Sequence, residues 1–180
     1  MEKRNSEIIK VAIVGPESTG KTTLALSLAQ SYKSVWVPEF ARDFLLVKSG
    51  KYTFDDLEQI AKMQLEQQEK LLLKANRVLF CDTNLTVIKI WSEFVFGKVC
   101  DYVVEQVALQ KYDFTFLTDI DVPWESDPFR EHPHKRSELF SIYKNELQQQ
   151  NIVYSTISGS HDMRLKSASK IINDLYLKNE

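Results

Sequence analysis

Residues 15–22 read G-P-E-S-T-G-K-T and follow the apolar run I-I-K-V-A-I-V of residues 8–14. An apolar strand, then G-x-x-x-x-G-K-[ST], then an amphipathic stretch is typical of a phosphate-binding loop (P-loop). Gly15 and Gly20 permit backbone angles that a side chain would hinder, so the loop can curl until several amide N–H groups point at one phosphate chain. Lys21 adds a positive charge for the β- and γ-phosphates, and Thr22 offers a hydroxyl to Mg²⁺. The motif predicts a nucleoside triphosphate ligand; the alternative is a glycine turn with an incidental lysine.

The length and composition of the chain suit one domain, residues 1–180, with 43% hydrophobic residues. A net charge of −2 argues against a surface that coats nucleic acid. We expect no membrane span, because no uninterrupted apolar segment is long enough, and no signal peptide, because residues 1–7 are polar. Cys81 and Cys100 do not form a C-x-x-C pair, and Cys81 lies in a predicted core strand, which favours a buried free thiol. These features predict a cytoplasmic protein whose partners are neither membranes nor nucleic acids.

Short β-rich runs alternate with helical patterns, which predicts an α/β fold with a parallel sheet covered by helices on both faces. The five predicted strands are residues 8–14, 34–38, 78–81, 114–118 and 152–154. Helical spacing predicts helices at about 24–32, 40–45, 53–73, 87–95, 103–108, 137–150 and 165–175. Thr53 is a candidate N-cap. Val95, Val104 and Leu175 are among the apolar residues that we expect to pack in these helices.

Acidic residues follow three of the predicted strands: Glu39 the second, Asp82 the third, and Asp119 or Asp121 the fourth. Ligands of parallel α/β sheets collect at these strand ends. Phosphoryl transfer needs positioning, charge neutralisation and a residue that orients or deprotonates the nucleophile, and Glu39 is the best candidate for that last role. Asp82 ends an apolar strand in the Walker B pattern and could hold Mg²⁺ through water or bind a sugar hydroxyl. The alternative for each carboxylate is that it is solvated and binds no ligand. Arg42 lies one helical turn beyond Glu39. It either binds phosphate or the acceptor, or it forms a surface ion pair.

Residues 119–136 contain three prolines and mixed charge, and a loop of this length is usually functional or mobile. We expect this segment to be a lid. Arg130 and Arg136 could reach a γ-phosphate when such a lid closes, which would neutralise the transition state and exclude water. The alternative is a solvated basic loop. His132 and His134 have no clear third ligand, so a solvated loop is favoured over a metal site.

From these residues alone, we predict an ATP- or GTP-dependent phosphotransferase or NTPase and no more specific function. Four stretches together resemble the ribosylnicotinamide kinase domain of NadR-type proteins. They are G-P-E-S-T-G-K-T at 15–22, P-E-F-A-R-D-F at 38–44, F-C-D-T at 80–83 and P-W-E-S-D-P-F-R at 123–130. The P-loop is generic, whereas its combination with the other three stretches is particular to this family, and the similarity runs from about residue 11 to 175.

The resemblance implies a nucleotide-kinase-like P-loop nucleoside triphosphate hydrolase fold. It implies transfer of the γ-phosphate of ATP to the 5′-hydroxyl of nicotinamide riboside, with Mg²⁺ as cofactor. The implied catalytic residues are Lys21, Glu39, Asp82 and Arg130, where Glu39 or Asp82 takes the hydroxyl proton. The implied substrate residues are Glu39, Arg42, Asp82, Trp124 and Asp127. The implied ATP-binding residues are Gly15, Pro16, Glu17, Ser18, Thr19, Gly20, Lys21, Thr22, Thr23, Arg136 and Arg164, with Thr22 and Asp82 at the metal and residues 158–164 near the adenine.

NadR-type proteins usually carry an adenylyltransferase domain ahead of the kinase, whereas here the first predicted strand begins at residue 8. We therefore expect the chain neither to make NAD on its own nor to act as a repressor. Two alternatives stay open: a NadR-like ATPase that serves as a nucleotide-binding regulatory module, and a kinase for another nucleoside. The sequence also leaves open the preference for ATP or GTP, the identity of the general base and the oligomeric state.

Overall fold

The computed structural model describes residues 8–177, and a five-stranded parallel sheet lies at its centre. The strands are β1 (Ile9–Val14), β2 (Trp36–Val37), β3 (Val78–Asp82), β4 (Phe114–Thr118) and β5 (Tyr154–Ile157). Their order across the sheet is β2-β3-β1-β4-β5, and every neighbouring pair is parallel. The loops that follow the strands therefore open at one edge of the sheet. The prediction of five parallel strands is confirmed.

Helices cover both faces of this sheet, as predicted. Within residues 8–177 they are α1 (Lys21–Ser31), α2 (Phe40–Val47), α3 (Phe54–Leu72), α4 (Leu85–Phe96), α5 (Asp101–Leu109), α6 (Arg136–Gln149) and α7 (His161–Ile172), which continues into the π-helical segment Asn173–Leu177.

The central strand β1 is apolar on both faces because both faces are covered. Val11 and Ile13 belong to the cluster that includes α1 and α7, whereas Ala12 and Val14 belong to the cluster that includes α6 and Ile90 of α4. Successive side chains of a strand point to opposite faces, so a strand buried on both faces has a continuous apolar sequence. A further cluster joins α2, α3, α4 and α5 beside this core.

Two helices begin where local sequence chemistry predicts a cap. The backbone N–H of Thr53 donates to Oδ2 of Asp56 at 2.9 Å in a capping box, which confirms Thr53 as the N-cap of α3. Asn84 caps α4 by accepting from the backbone N–H of Thr86 at 3.0 Å. These caps fix the starts of the two helices on either side of β3.

The fifth strand lies later in the chain than predicted. It runs from Tyr154 to Ile157, and Val153, which we placed in the strand, is 62% exposed. As an edge strand, β5 pairs only with β4, and its half-polar sequence Y-S-T-I lacks the apolar run of a central strand. The second strand is also shorter than predicted, at two residues.

Three residues that we expected to pack are instead exposed: Val95, Val104 and Leu175. Each lies on a helix whose inward face is supplied by other apolar residues, such as Ile90 in α4 and Val103 in α5. The short apolar stripes therefore predicted where these helices lie in the chain, but they predicted only some of the residues on their inward faces.

None of the helices in residues 8–177 is long and apolar enough to cross a bilayer. Cys81 is buried and free, as predicted, and Cys100 is a partly buried free thiol. Burial raises the pKa of the Cys81 thiol to about 12, so this thiol is unreactive.

Candidate active site

The P-loop joins β1 to α1 and lies directly against the end of β4. Gly15 has a φ of 145°, and a Cβ there would come within 2.4 Å of Oγ1 of Thr118. Gly20 has a φ of 80° and forms the N-cap of α1. Only glycine suits position 15, because the backbone angle and the close neighbour both exclude a side chain. The spacing of the motif thus has a direct physical cause in the fold.

The side chain of Thr19 is turned into the protein. Its hydroxyl donates to the carbonyl of Pro16 at 2.8 Å and lies 2.7 Å from Oγ1 of Thr118. Thr118 in turn donates to the carbonyl of Val14 at 3.1 Å. Thr19 therefore braces the loop, and a contact from Thr19 to a nucleotide would come through its backbone.

Thr22 and Asp82 meet at the bottom of the P-loop. The Thr22 hydroxyl donates to Oδ2 of Asp82 at 2.5 Å, while Oδ1 of Asp82 is buried with no hydrogen-bond partner in the described part of the chain. Nζ of Lys21 donates to the carbonyl of Pro16 at 2.7 Å. An orphaned carboxylate oxygen beside a hydroxyl fits Mg²⁺, which binds hard oxygen ligands and completes its shell with phosphate and water. The two residues predicted at the metal are thus adjacent.

Glu39 and Asp82 form an electrostatically linked pair. Glu39 occupies the N-cap position of α2, two residues after β2, makes no side-chain capping bond there, and lines the cavity beside the P-loop. Burial raises the pKa of both carboxyls, and the charge of Glu39 helps to raise the pKa of Asp82 to about 7, whereas Lys21 opposes both shifts. A pair of this kind takes up and releases protons as one unit. It is suited to accept a proton near neutral pH, and either carboxylate could be the base.

The irregular segment 119–135, here called the lid, lies against the P-loop. Nη1 of Arg130 is 3.3 Å from Oγ of Ser18, to which it donates. Nη1 of Arg136, the first residue of α6, donates to the carbonyl of Ser18 at 3.0 Å and to that of Val122 at 2.9 Å. The structure thus brings both predicted arginines to the P-loop, and their contacts with a nucleotide stay predictions.

The other residues expected to bind substrate contact protein groups. Arg42 of α2 forms an ion pair with Asp127 of the lid. The pKa of Asp127 is lowered first by a hydrogen bond from the backbone N–H of Phe129 and then by Arg42. The Trp124 ring lies under the guanidinium of Arg136, with 5.8 Å between the guanidinium carbon and the ring centroid. Neither Trp124 nor Asp127 is among the residues that line the cavity, and their roles in substrate binding stay predictions.

Arg164 of α7 is buried and ties three loops together. Its Nη1 donates to the carbonyl of Thr19 at 2.5 Å, its Nε donates to that of Gly159 at 3.0 Å, and its Nη2 donates to that of Asp119 at 3.2 Å. It also forms an ion pair with Asp121. These contacts join the loops after β1, β4 and β5. Arg164, which we predicted to bind the nucleotide, therefore holds the P-loop in place through hydrogen bonds to the protein.

A cavity of about 490 Å³ extends along the P-loop, a size that suits a small-molecule ligand. Its wall includes Glu39 and an aromatic group that our sequence reasoning missed: Tyr52, Trp91, Phe94 and Phe129. Nε1 of Trp91 donates to the Tyr52 hydroxyl at 3.0 Å, and this hydroxyl donates to Oε2 of Glu131 in the lid at 2.9 Å. Sequence periodicity placed Trp91 on a packing stripe, and no local pattern connects it with Tyr52.

His132 faces inward, which corrects the expectation of a solvated loop at that position. Its ring packs edge-on against Phe94, with 5.0 Å between ring centroids, and lines the cavity. His134 is exposed, as expected. The reversal follows from the lid path, because the backbone N–H of His132 is bonded to Oε2 of Glu17 at 3.1 Å and holds the side chain toward α4.

Sequence comparisons find similarity to one domain family and to NadR proteins. The profile of the AAA domain family matches residues 10–164. The trifunctional NAD biosynthesis/regulator protein NadR of Escherichia coli is 23% identical over 172 residues, a match that spans 92% of this chain and 42% of that protein. The chain thus covers less than half the length of this relative.

The fold is similar to that of solved P-loop kinases and of NadR. A NadR protein in complex with NR superposes with a TM-score of 0.75 at 19% identity, over 93% of this chain and 51% of that one. Deoxyadenosine kinase from M. mycoides with bound dATP gives a TM-score of 0.59 at 14% identity, over 92% of this chain and 99% of that one. The matched P-loop, the sheet order and these likenesses show that the chain belongs to the AAA domain family and is a NadR-like P-loop protein.

Proposed function

We propose that this protein is an ATP-dependent kinase that phosphorylates the 5′-hydroxyl of nicotinamide riboside and releases nicotinamide mononucleotide and ADP. The observation that carries the proposal is one shared cavity. The P-loop and Glu39 line the same space of about 490 Å³, which continues to an aromatic wall. An enzyme that only hydrolyses a nucleotide would use the same P-loop but would need neither Glu39 nor the aromatic wall.

The chemistry requires a phosphate chain and an alcohol in line. The P-loop amides and Lys21 would hold the triphosphate. Thr22 and Asp82 would hold Mg²⁺, which neutralises phosphate charge when bound. The riboside oxygen would then bond to the γ-phosphorus as the bond to the β,γ-bridging oxygen breaks, and its proton would pass to Glu39. The alternative, in which Asp82 takes the proton, requires Mg²⁺ to be held by Thr22, phosphate and water instead. Arg130, beside Ser18, would neutralise charge on the transferring group.

Two observations support a riboside as the acceptor. Tyr52 and Trp91 offer flat aromatic surfaces, and planar rings stack well on such surfaces. In addition, the NadR structure with NR is among the similar folds. The likeness to deoxyadenosine kinase favours the second candidate, a kinase for another nucleoside. The AMP-PNP in another NadR structure supports ATP as the donor.

The test measures ADP release and products by mass spectrometry with ATP or GTP, Mg²⁺ and a panel of ribosides. We expect nicotinamide riboside to stimulate ADP release and to gain one phosphate. Glu39→Gln should reduce turnover by about 10²–10⁴-fold, as loss of a general base does. Glu105→Gln, an exposed carboxylate on α5, is the matched control. Equal ADP release with and without every acceptor would instead support the regulatory ATPase, and a preferred different nucleoside would support the second candidate.

A further inference from the structure

We propose that Glu17, the third residue of the P-loop motif, is a positioning residue that holds the lid closed and thereby places Arg130 at the phosphate site. The proposal deepens the proposed kinase function and rests on it for the role of Arg130. The motif leaves position 17 free, so the residue type there has no explanation in phosphate binding alone.

The carboxylate of Glu17 bonds the backbone of the lid. Its Oε2 accepts from the N–H groups of Glu131 and His132, each at 3.1 Å. Hydrogen bonds to an ionised acceptor are roughly twice as strong as neutral ones. Because the donors are main-chain groups, Glu17 fixes the path of the lid whatever the lid side chains are.

The next loop residue makes a second attachment on the other side of Arg130. Oγ of Ser18 accepts from the backbone N–H of Glu125 at 2.8 Å and from Nη1 of Arg130 at 3.3 Å. The lid is thus bonded to the P-loop before and after Arg130, at residue 125 and at residues 131–132. These two attachments leave the guanidinium of Arg130 beside the loop that would hold the phosphates.

The lid also contacts the acceptor side of the cavity. Tyr52 donates to Glu131, the same residue whose N–H is bonded to Glu17, and Arg42 pairs with Asp127. Glu17 therefore connects the phosphate loop, through the lid, to the aromatic wall. A negative side chain inside a phosphate-binding loop opposes anion binding unless other groups offset its charge, and the two lid N–H groups do so.

This arrangement predicts how substitutions of Glu17 and Arg130 combine. The hydrogen bonds of the Glu17 carboxylate go to the backbone of residues 131–132, whereas the Arg130 guanidinium bonds Ser18, so Glu17 would affect turnover by placing the lid. Substitutions at residues that act through one another are not additive. Glu17→Ala should therefore have little further effect in a protein that already lacks the Arg130 guanidinium.

The first experiment measures lid closure without using activity. Trypsin should cut after Arg130 faster when the lid leaves the P-loop, and mass spectrometry gives the rate at each site in the presence of AMP-PNP and Mg²⁺. We expect Glu17→Ala to speed cleavage after Arg130 by about tenfold, because one hydrogen bond to a charged group is worth at least that factor. Glu17→Gln should lie between, since the amide oxygen still accepts, and Glu105→Ala should match the parent protein. Unchanged cleavage in Glu17→Ala, or an equal increase at every tryptic site, overturns the proposal.

The second experiment separates positioning from nucleotide binding. In Glu17→Ala we expect kcat to fall about tenfold while the KM for ATP changes little, and the double variant with Arg130→Ala to be no slower than Arg130→Ala alone. Additive losses would contradict a role through Arg130. If the parent protein transfers phosphate to no riboside, the proposed function fails, yet the cleavage rates still decide whether Glu17 holds the lid.

Discussion

Asp82→Asn should gain stability relative to the parent protein as the pH rises from 5 to 8, and it removes the carboxylate that we propose as a Mg²⁺ ligand. Asp82 is 1% exposed, and its Oδ1 has no hydrogen-bond partner within residues 8–177. Burial, and then the charge of Glu39, raise its pKa from 3.8 to about 7. The native state therefore keeps this proton up to a higher pH than the unfolded chain does. Where the native state binds more protons, the free energy of unfolding falls as pH rises, here from about pH 4 to about pH 7.

The magnitude follows from the size of this pKa shift. One pKa unit corresponds to about 1.4 kcal/mol, so the ionised Asp82 costs the native state about 4 kcal/mol above pH 7. At pH 5 the cost is about 2 kcal/mol, because the unfolded chain is already ionised there. The asparagine amide has its own cost, but that cost is the same at both pH values. The advantage of the substitution should therefore grow by roughly 2–3 kcal/mol between pH 5 and pH 8, or roughly 5–10 °C in Tm for a chain of this size.

The assay is thermal or urea unfolding of the parent protein, Asp82→Asn and the control Glu105→Gln at pH 5 and pH 8, without nucleotide. The Glu105 carboxylate is exposed, so its removal should leave the pH dependence of Tm unchanged. A Tm difference for Asp82→Asn that is equal at the two pH values, or larger at pH 5, would refute the reasoning. That result would mean that Asp82 is ionised at little cost in the native state.

Three further substitutions test the geometry of the site. Gly15→Ala should lower the free energy of unfolding by about 2 kcal/mol and weaken ATP binding, because its Cβ would lie 2.4 Å from Oγ1 of Thr118; an unchanged urea midpoint argues against this. Arg164→Ala should cost about 3 kcal/mol or more by leaving buried carbonyls and a carboxylate without their donor, and a loss below about 1 kcal/mol in the same assay would contradict its bracing role. Arg42→Ala should change the free energy of unfolding by less than about 1 kcal/mol, since the Arg42 side chain in the ion pair with Asp127 is half exposed. A larger coupling energy in a double-mutant cycle with Asp127→Ala would show that the pair is stronger than its exposure suggests.

The local sequence was sufficient to predict the backbone elements that carry the site. The run before Gly15 and the glycine spacing after it predicted the strand, the P-loop and the helix, because each depends on backbone angles and periodicity over a few residues. Strand-end position also predicted that Glu39 and Asp82 would lie near the loop, since parallel strands place their ends at one edge. The edge strand β5 was misplaced by two residues at its start, because a half-polar strand with one neighbour carries a weak apolar pattern.

The partners of the site residues are a property of the folded chain. Arg164 reaches Thr19 across 145 residues, Glu17 reaches His132 across 115, and Trp91 reaches Tyr52 across 39. Sequence periodicity reports which face of an element is apolar, whereas these contacts depend on how loops are routed over the edge of the sheet. Residue type and spacing therefore established a nucleotide-binding α/β domain, and the packing of the lid onto the P-loop established which groups meet there.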